Sequence, residues 1–186
     1  VMPKNTTIVL VRHGEKPKKT TDPGLAVPGL ERAQAYSIYF QNYPNSKAPL
    51  KFNYLFASTD SSKSDRPLLT LTPFSQAVNL PINANFSNAE YQNLADSILT
   101  PLTPGQYDNC NILICWHHGE ILKLAASLGV DASQAGTWPT KWPGDVFGWL
   151  LQINFDGNAN INYKQTFCIN EKLMHDDHGK NPPTAN

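Results

Sequence analysis

The chain has 186 residues, of which 40% are hydrophobic, and this is enough for one compact domain with a sizeable core. Its 15 basic residues balance its 15 acidic ones, so no global field recruits nucleic acid, and any bound anion must meet a local cluster of positive groups. No apolar run reaches the roughly 18 residues that span a bilayer, so we expect neither nucleic acid nor a membrane as a partner.

The first half of the chain alternates between apolar strands and helices. Thr7 to Arg12 is a nearly continuous β-branched and aliphatic run, which is typical of a strand buried on both faces. After a loop over 15–28, the spacing of apolar residues predicts a helix over 29–43. A second short strand is predicted over 52–57, and Pro67 then begins a helix that runs to about Leu80.

The next part of the chain repeats this pattern. Ser87 or Asn88 is predicted to cap a helix whose inner face carries apolar residues. Asn111 to Trp116 forms the third strong strand, and a helix over 120–128 follows it, closed by Gly129.

The last third differs, because two strands follow each other directly. They are predicted over 146–155 and 160–168, joined by a hairpin at Asp156-Gly157-Asn158. Strands that alternate with helices indicate an α/β fold, a three-layer α/β/α sandwich with a mostly parallel central sheet. We expect one domain over residues 1–175, followed by a polar, poorly ordered tail over 176–186.

The three cysteines do not form a disulfide framework. Cys110 and Cys115 lie in one predicted strand, roughly 16 Å apart, which is too far for a bond. Cys115 is most simply a buried apolar residue, and a pairing of Cys110 with Cys168 stays open. Residues 1–7 lack the apolar stretch of a signal peptide, so we expect a cytoplasmic protein; a leader removed earlier stays open as well.

Polar groups that suit a phosphate follow three of the predicted strands. Ligands of open α/β sheets bind beyond the carboxyl ends of the strands. The first strand ends at Arg12-His13-Gly14, the second leads into the loop before Arg66, and the third ends at residues 116–119, before a helix. If these strands are neighbours, guanidinium groups, histidines and a helix N-terminus converge, and all of them match anionic oxygens.

Each of these pieces also has a plainer interpretation. Arg12-His13-Gly14 by itself is an ordinary turn, and Arg66 by itself is a surface residue. His117 and His118 are each interpreted equally well as satisfied buried histidines. What favours a site is that each group follows a strand and precedes a loop or a helix.

Several segments, in this order, resemble the motifs of the histidine phosphatase superfamily, which includes the phosphoglycerate mutases. Residues 8–15 (Ile-Val-Leu-Val-Arg-His-Gly-Glu) resemble its signature, and residues 25–33 resemble its Leu-Thr-x-x-Gly-x-x-Arg-Ala segment. Residues 56–58 with 66–70 are similar to its Ala-Ser…Arg-x-x-x-Thr segment. Residues 112–119 are similar to its second histidine segment.

This resemblance implies a phosphoglycerate mutase-like fold and a role for each matching residue. His13 would be the nucleophile that takes the phosphoryl group, and Arg12, Arg66 and His118 would complete the phosphate pocket. Neutral imidazole is nucleophilic near pH 7, and nearby guanidinium groups disfavour its protonation. Water would then hydrolyse the phosphohistidine, with no metal and no cofactor.

A general acid should protonate the leaving oxygen, and many relatives use a carboxylate between the second Arg and the second His segment. Glu90 is the best candidate there, ahead of Asp96 and Asp108. The plainer interpretation of Glu90 is a first-turn helix residue that the helix dipole favours. Glu15 is better placed to orient the loop, and Asp145 could edge the pocket.

Two departures argue against a glycolytic mutase. The mutase-like Ser-x-x-Asn continuation is replaced by residues 16–19 (Lys-Pro-Lys-Lys), and the loop over 58–66 is longer than in typical mutases. The sequence therefore predicts a phosphatase acting on a phosphorylated small molecule or a phosphoprotein. The alternatives are a non-catalytic phospholigand-binding module of the same fold and a phosphohistidine protein phosphatase. The oligomeric state is not predicted.

Overall fold

The computed structural model describes residues 2–184 of the chain. Strands and helices alternate along it, with 3-10 turns in some of the connections. In chain order they are β1 (Thr6–Arg12), α1 (Val27–Asn42), β2 (Tyr54–Ala57), α2 (Arg66–Val78), β3 (Ile82–Asn83), α3 (Tyr91–Leu99), β4 (Asn111–Trp116), α4 (Ile121–Ser127), β5 (Trp149–Phe155) and β6 (Phe167–Asn170).

Within the described residues, six strands form one sheet in the order β3-β2-β4-β1-β5-β6. The first four strands in the sequence run parallel to one another, whereas β5 is antiparallel to β1, and β6 to β5. Strand β4 lies between β1 and β2, with Arg12 opposite Trp116 and Ala57 opposite Cys115. The carboxyl ends of β1, β2 and β4 therefore lie side by side, as the candidate site requires.

Helices cover both faces of the sheet. On one face, α1 and α2 bury aromatic side chains such as Phe40 and Phe74. On the other, α3 and α4 bury aliphatic side chains such as Leu94 and Leu124. The predicted three-layer sandwich with a mostly parallel sheet is therefore confirmed. None of the helices in residues 2–184 is long and apolar enough to cross a membrane.

The connection after β5 contains the predicted chain reversal at Asp156-Gly157-Asn158, where Phe155 forms an antiparallel bridge with Ile161, but it corrects the start of the second strand. Strand β6 begins at Phe167, and a 3-10 turn occupies Tyr163–Gln165, inside the stretch predicted as strand. The Asp156 carboxylate accepts hydrogen bonds from the backbone N–H groups of Asn158 and Asn160. Side-chain bonds of this kind give the backbone an alternative to a strand ladder. The turn is therefore present, and the second strand begins at Phe167 rather than at residue 160.

The C-terminal segment corrects a second prediction, that of a poorly ordered tail. Asp177 is 3% exposed and forms two hydrogen bonds with the buried Arg32. The indole Nε1 of Trp149 donates to the carbonyl oxygen of Lys180 at 2.6 Å. The prediction does not hold for residues 176–184, because the buried guanidinium of Arg32 pairs with Asp177 of this segment. The last two residues of the chain lie outside the described part.

All three cysteines are free thiols. Cys115 is fully buried in β4, as predicted for an apolar residue. Cys168 is buried in β6 and Cys110 is partly exposed, so the pairing left open from the sequence is not formed.

Candidate active site

A cleft of about 370 Å³ opens where β1, β2 and β4 end. His13, from the end of β1, lines it together with Arg66, the first residue of α2. His117 and His118, between β4 and α4, line it as well. The structure thus brings three of the five predicted site residues, His13, Arg66 and His118, to one cleft. Arg12 lies directly beside it.

His13 is held in a single tautomer. Its ring is 2% exposed, and Nδ1 lies 2.7 Å from the carbonyl oxygen of Gly14. Because a carbonyl oxygen only accepts, Nδ1 carries the proton and Nε2 keeps its lone pair. Burial lowers the pKa of His13 well below 6.5, and the neighbouring His117, Arg12 and Arg66 lower it further. His13 is therefore a neutral imidazole at pH 7, the form that acts as a nucleophile.

The loop after His13 is fastened to the first turn of α2. The backbone N–H of Gly14 donates to the hydroxyl oxygen of Thr70 at 2.8 Å, and that hydroxyl donates to the carbonyl of Arg66 at 2.8 Å. A Cβ atom on Gly14 would lie 2.8 Å from the carbonyl oxygen of Gly29, so only glycine allows this approach to α1. The carbonyl that orients His13 is thus fixed by two helices.

Arg12 offers an unpaired donor edge next to the cleft. Its Nη1 donates to the carbonyls of Gly144 and Val146 at 2.9 and 2.7 Å, and its guanidinium lies 3.7 Å from the ring centre of Phe147. Nε and Nη2, which form the other edge, are buried and have no partner among residues 2–184. Burial lowers the pKa of Arg12 to about 10, so it remains charged at pH 7. Such an edge matches two oxygens of a phosphate.

Arg66 is also fixed before any ligand binds. Its Nε donates to the carbonyl of Gly24 at 2.9 Å, and its Nη2 donates to the carbonyl of Asp22 at 2.8 Å. These bonds leave Nη1 as the donor for a ligand in the cleft. The two guanidinium groups therefore need little reorganisation to meet an oxyanion.

His117 is a site residue that sequence reasoning did not single out. Its ring lies edge-on to His13, with 5.0 Å between the ring centres. Burial, and then Arg66, lower the pKa of His117 to about 4, so it is neutral at pH 7. Only the register of β1 and β4, which places Trp116 opposite Arg12, brings the residue after Trp116 next to His13.

Glu90 does not line the cleft. Its carboxylate accepts a hydrogen bond from the backbone N–H of Ser87 at 3.0 Å and forms a capping box at the start of a 3-10 turn. These bonds lower the pKa of the exposed Glu90 carboxyl. This placement matches the plainer interpretation, a first-turn residue that stabilises a helix end.

Glu120 lines the cleft instead. Asn88 donates from Nδ2 to its Oε2 at 2.9 Å, and the indole of Trp116 donates to the Asn88 carbonyl at 3.2 Å. The sequence placed Glu120 at the start of a helix and gave no reason to assign it a role. Glu120 lies at the cleft because of the direction in which α4 leaves β4. The periodicity of apolar residues in the sequence does not predict that direction.

An ionic clamp connects the loop after His13 to the C-terminal segment. Arg32 is 1% exposed and donates from Nε to Glu15 at 2.6 Å. Its Nη1 and Nη2 donate to the two carboxylate oxygens of Asp177 at 3.0 and 2.7 Å. This arrangement agrees with the predicted role of Glu15, which was to orient the loop.

We expect Asp177→Asn to destabilise the fold by about 3 kcal/mol, because it leaves the buried Arg32 without one of its charged partners. Urea unfolding should measure this loss. Asp176→Asn is the matched control, since Asp176 is exposed and next to Asp177. Equal stability of the two variants would show that the clamp contributes nothing.

Comparisons with known proteins agree on the fold. No family model matches the sequence, and no curated protein matches it. The protein histidine phosphatase SixA, solved with tungstate, has a TM-score of 0.55 and 14% identity over 87% of this chain and 96% of that one. A mycobacterial glucosyl-3-phosphoglycerate phosphatase, solved with VO3, has a TM-score of 0.50 and 13% identity over 89% and 97%. The predicted resemblance is therefore confirmed for the fold.

Proposed function

From this histidine phosphatase fold and the geometry of the cleft, we propose that the chain hydrolyses phosphomonoesters through a phosphohistidine on His13. The observation that carries the proposal is the neutral, buried imidazole with its proton fixed on Nδ1, beside two preorganised guanidinium groups. The tungstate and VO3 in the two similar structures support it, since both are oxyanions like phosphate.

In the first step, Nε2 of His13 attacks phosphorus in line with the leaving oxygen. The N–P bond forms as the P–O bond breaks, and the carbonyl of Gly14 stabilises the positive charge that develops on the imidazole. Arg12, Arg66 and His118 offset the charge on the other phosphoryl oxygens. Positioning and electrostatics provide most of the catalysis in such transfers.

We assign the proton donor to Glu120 rather than Glu90. The Asn88 amide holds Oε2 of Glu120, and we assign the proton to Oε1, which lies 4.0 Å from the ammonium of the exposed Lys123. That proton passes to the leaving oxygen as the P–O bond breaks. In the second step the Glu120 carboxylate takes a proton from water, the water oxygen bonds to phosphorus, and the electron pair of the N–P bond returns to Nε2 of His13. The scheme uses no metal and no cofactor.

A pH dependence of stability follows from the lowered pKa of His13. Below pH 6.5 the imidazole of His13 binds a proton in the unfolded chain but stays neutral in the folded protein. The free energy of unfolding should therefore fall as the pH drops below 6.5. His13→Gln should show a smaller fall. Urea unfolding at pH values on both sides of 6.5 measures this, and an identical pH dependence in both proteins would contradict it.

Turnover of p-nitrophenyl phosphate by the purified chain tests the proposed function. We expect release of phosphate in many turnovers, with competitive inhibition by vanadate. The non-catalytic module predicts the opposite pattern, in which phosphate raises the melting temperature but no ester is hydrolysed.

A further inference from the structure

Two lysines at the cleft have no role in the scheme above. Lys16 and Lys63 both line the cleft, and both are exposed. Neither forms an ion pair within residues 2–184. Among the described residues that line the cleft, Glu120 is the one carboxylate.

The two lysines add positive charge beyond what a phosphoryl group needs. In the proposed scheme a phosphate dianion is already matched by Arg12 and Arg66, and Glu120 is one carboxylate against two lysines. Partial burial lowers the pKa of the Lys16 ammonium, and the nearby guanidinium groups of Arg12 and Arg66 lower it further. A second anion at this rim would relieve that repulsion.

The loop that carries Lys63 is held by hydrogen bonds between its own residues. Ser61 and Ser64 form an antiparallel bridge, and the hydroxyl of Ser61 accepts from the backbone N–H groups of Lys63 and Ser64 at 3.2 and 3.1 Å. This is the stretch that is longer than in typical mutases, and it forms one wall of the cleft.

The loops that carry the two lysines are also tied together. The backbone N–H of Asp65 donates to the carbonyl of Pro23 at 3.1 Å, and Arg66 donates to the carbonyl of Gly24. One loop leaves β1 and the other leaves β2, so these bonds hold Lys16 and Lys63 at one rim.

We propose that Lys16 and Lys63 bind a second acidic group of the substrate, so that the enzyme prefers phosphomonoesters whose leaving group carries a carboxylate or a further phosphate. This proposal rests on the proposed phosphatase function. The lysines act on affinity and orientation, whereas His13 and Glu120 perform the bond changes.

Two matched substrates test the proposal: 4-carboxyphenyl phosphate and the neutral 4-carbamoylphenyl phosphate. The wild type should show a kcat/KM about 10-fold higher for the carboxylate, and added salt should reduce this preference. The double variant Lys16→Gln/Lys63→Gln should hydrolyse the two within about twofold of each other. Lys18→Gln/Lys19→Gln is the control, because both residues are exposed on the same loop without lining the cleft, and it should keep the preference.

Equal kcat/KM for the two substrates in the wild type would overturn the proposal while leaving the phosphatase function intact. A preference that survives in Lys16→Gln/Lys63→Gln would also overturn it. If the wild type hydrolyses neither substrate, the proposed function itself fails, and the substrate preference fails with it.

Discussion

His13→Ala is expected to lower kcat for p-nitrophenyl phosphate by about 10³-fold or more. The variant lacks the atom that forms the bond to phosphorus, and no neighbouring histidine replaces it. The edge-on ring of His117 lies with its centre 5.0 Å from that of His13, but within residues 2–184 no carbonyl oxygen accepts from it to fix a tautomer. Steady-state kinetics, with circular dichroism to verify the fold, measures the effect.

The control for this variant is His175→Ala, which removes an exposed histidine far along the chain. We expect it to keep wild-type kinetics. Because alanine leaves a cavity at the buried His13 position, His13→Gln serves as a second variant that fills the space without a nucleophile. Wild-type turnover by either His13 variant would show that another group takes the phosphoryl group.

Glu120→Gln is expected to lower kcat for phenyl phosphate by about 10²-fold, because the amide keeps the hydrogen bond network but carries no proton for the leaving oxygen. The loss should be much smaller with p-nitrophenyl phosphate, whose leaving group departs as a stable anion. This dependence on the leaving group separates a proton donor from a residue that only shapes the cleft.

Glu90→Gln is the matched comparison, since it makes the same change at the residue that the sequence favoured. It should keep kcat for both substrates and weaken only the capping box at Ser87. A leaving-group-dependent loss in Glu90→Gln, with none in Glu120→Gln, would return the donor role to Glu90.

The parts of the site that depend on strand ends were predictable from the sequence. The apolar run before Arg12 and the strand Asn111–Trp116 are buried on both faces, so their bounds follow from composition. Motifs placed directly after such strands then fall at one edge of the sheet. This is why His13, Arg66 and His118 could be predicted together.

The remaining parts depend on contacts between distant segments. Arg32 and Asp177 are separated by 145 positions. A polar C-terminal segment is therefore predicted to be exposed to solvent, because the sequence does not show that one of its carboxylates pairs with a buried arginine. Glu120 becomes a candidate donor only through its hydrogen bond from Asn88, which belongs to another loop. Capping and catalysis both favour a carboxylate at a helix start, so the sequence alone did not separate these two roles for Glu90.

The central claim is a covalent phosphoryl group on Nε2 of His13, and rapid quenching tests it most directly. The wild type would be mixed with a ³²P-labelled phosphomonoester and quenched with alkali during turnover. Peptide mapping would then locate the labelled residue. We predict a label that is stable in alkali, labile in acid and located on His13, and we predict none in His13→Ala. Turnover by the wild type with no labelled protein, or with the label on a different residue, would contradict the claim.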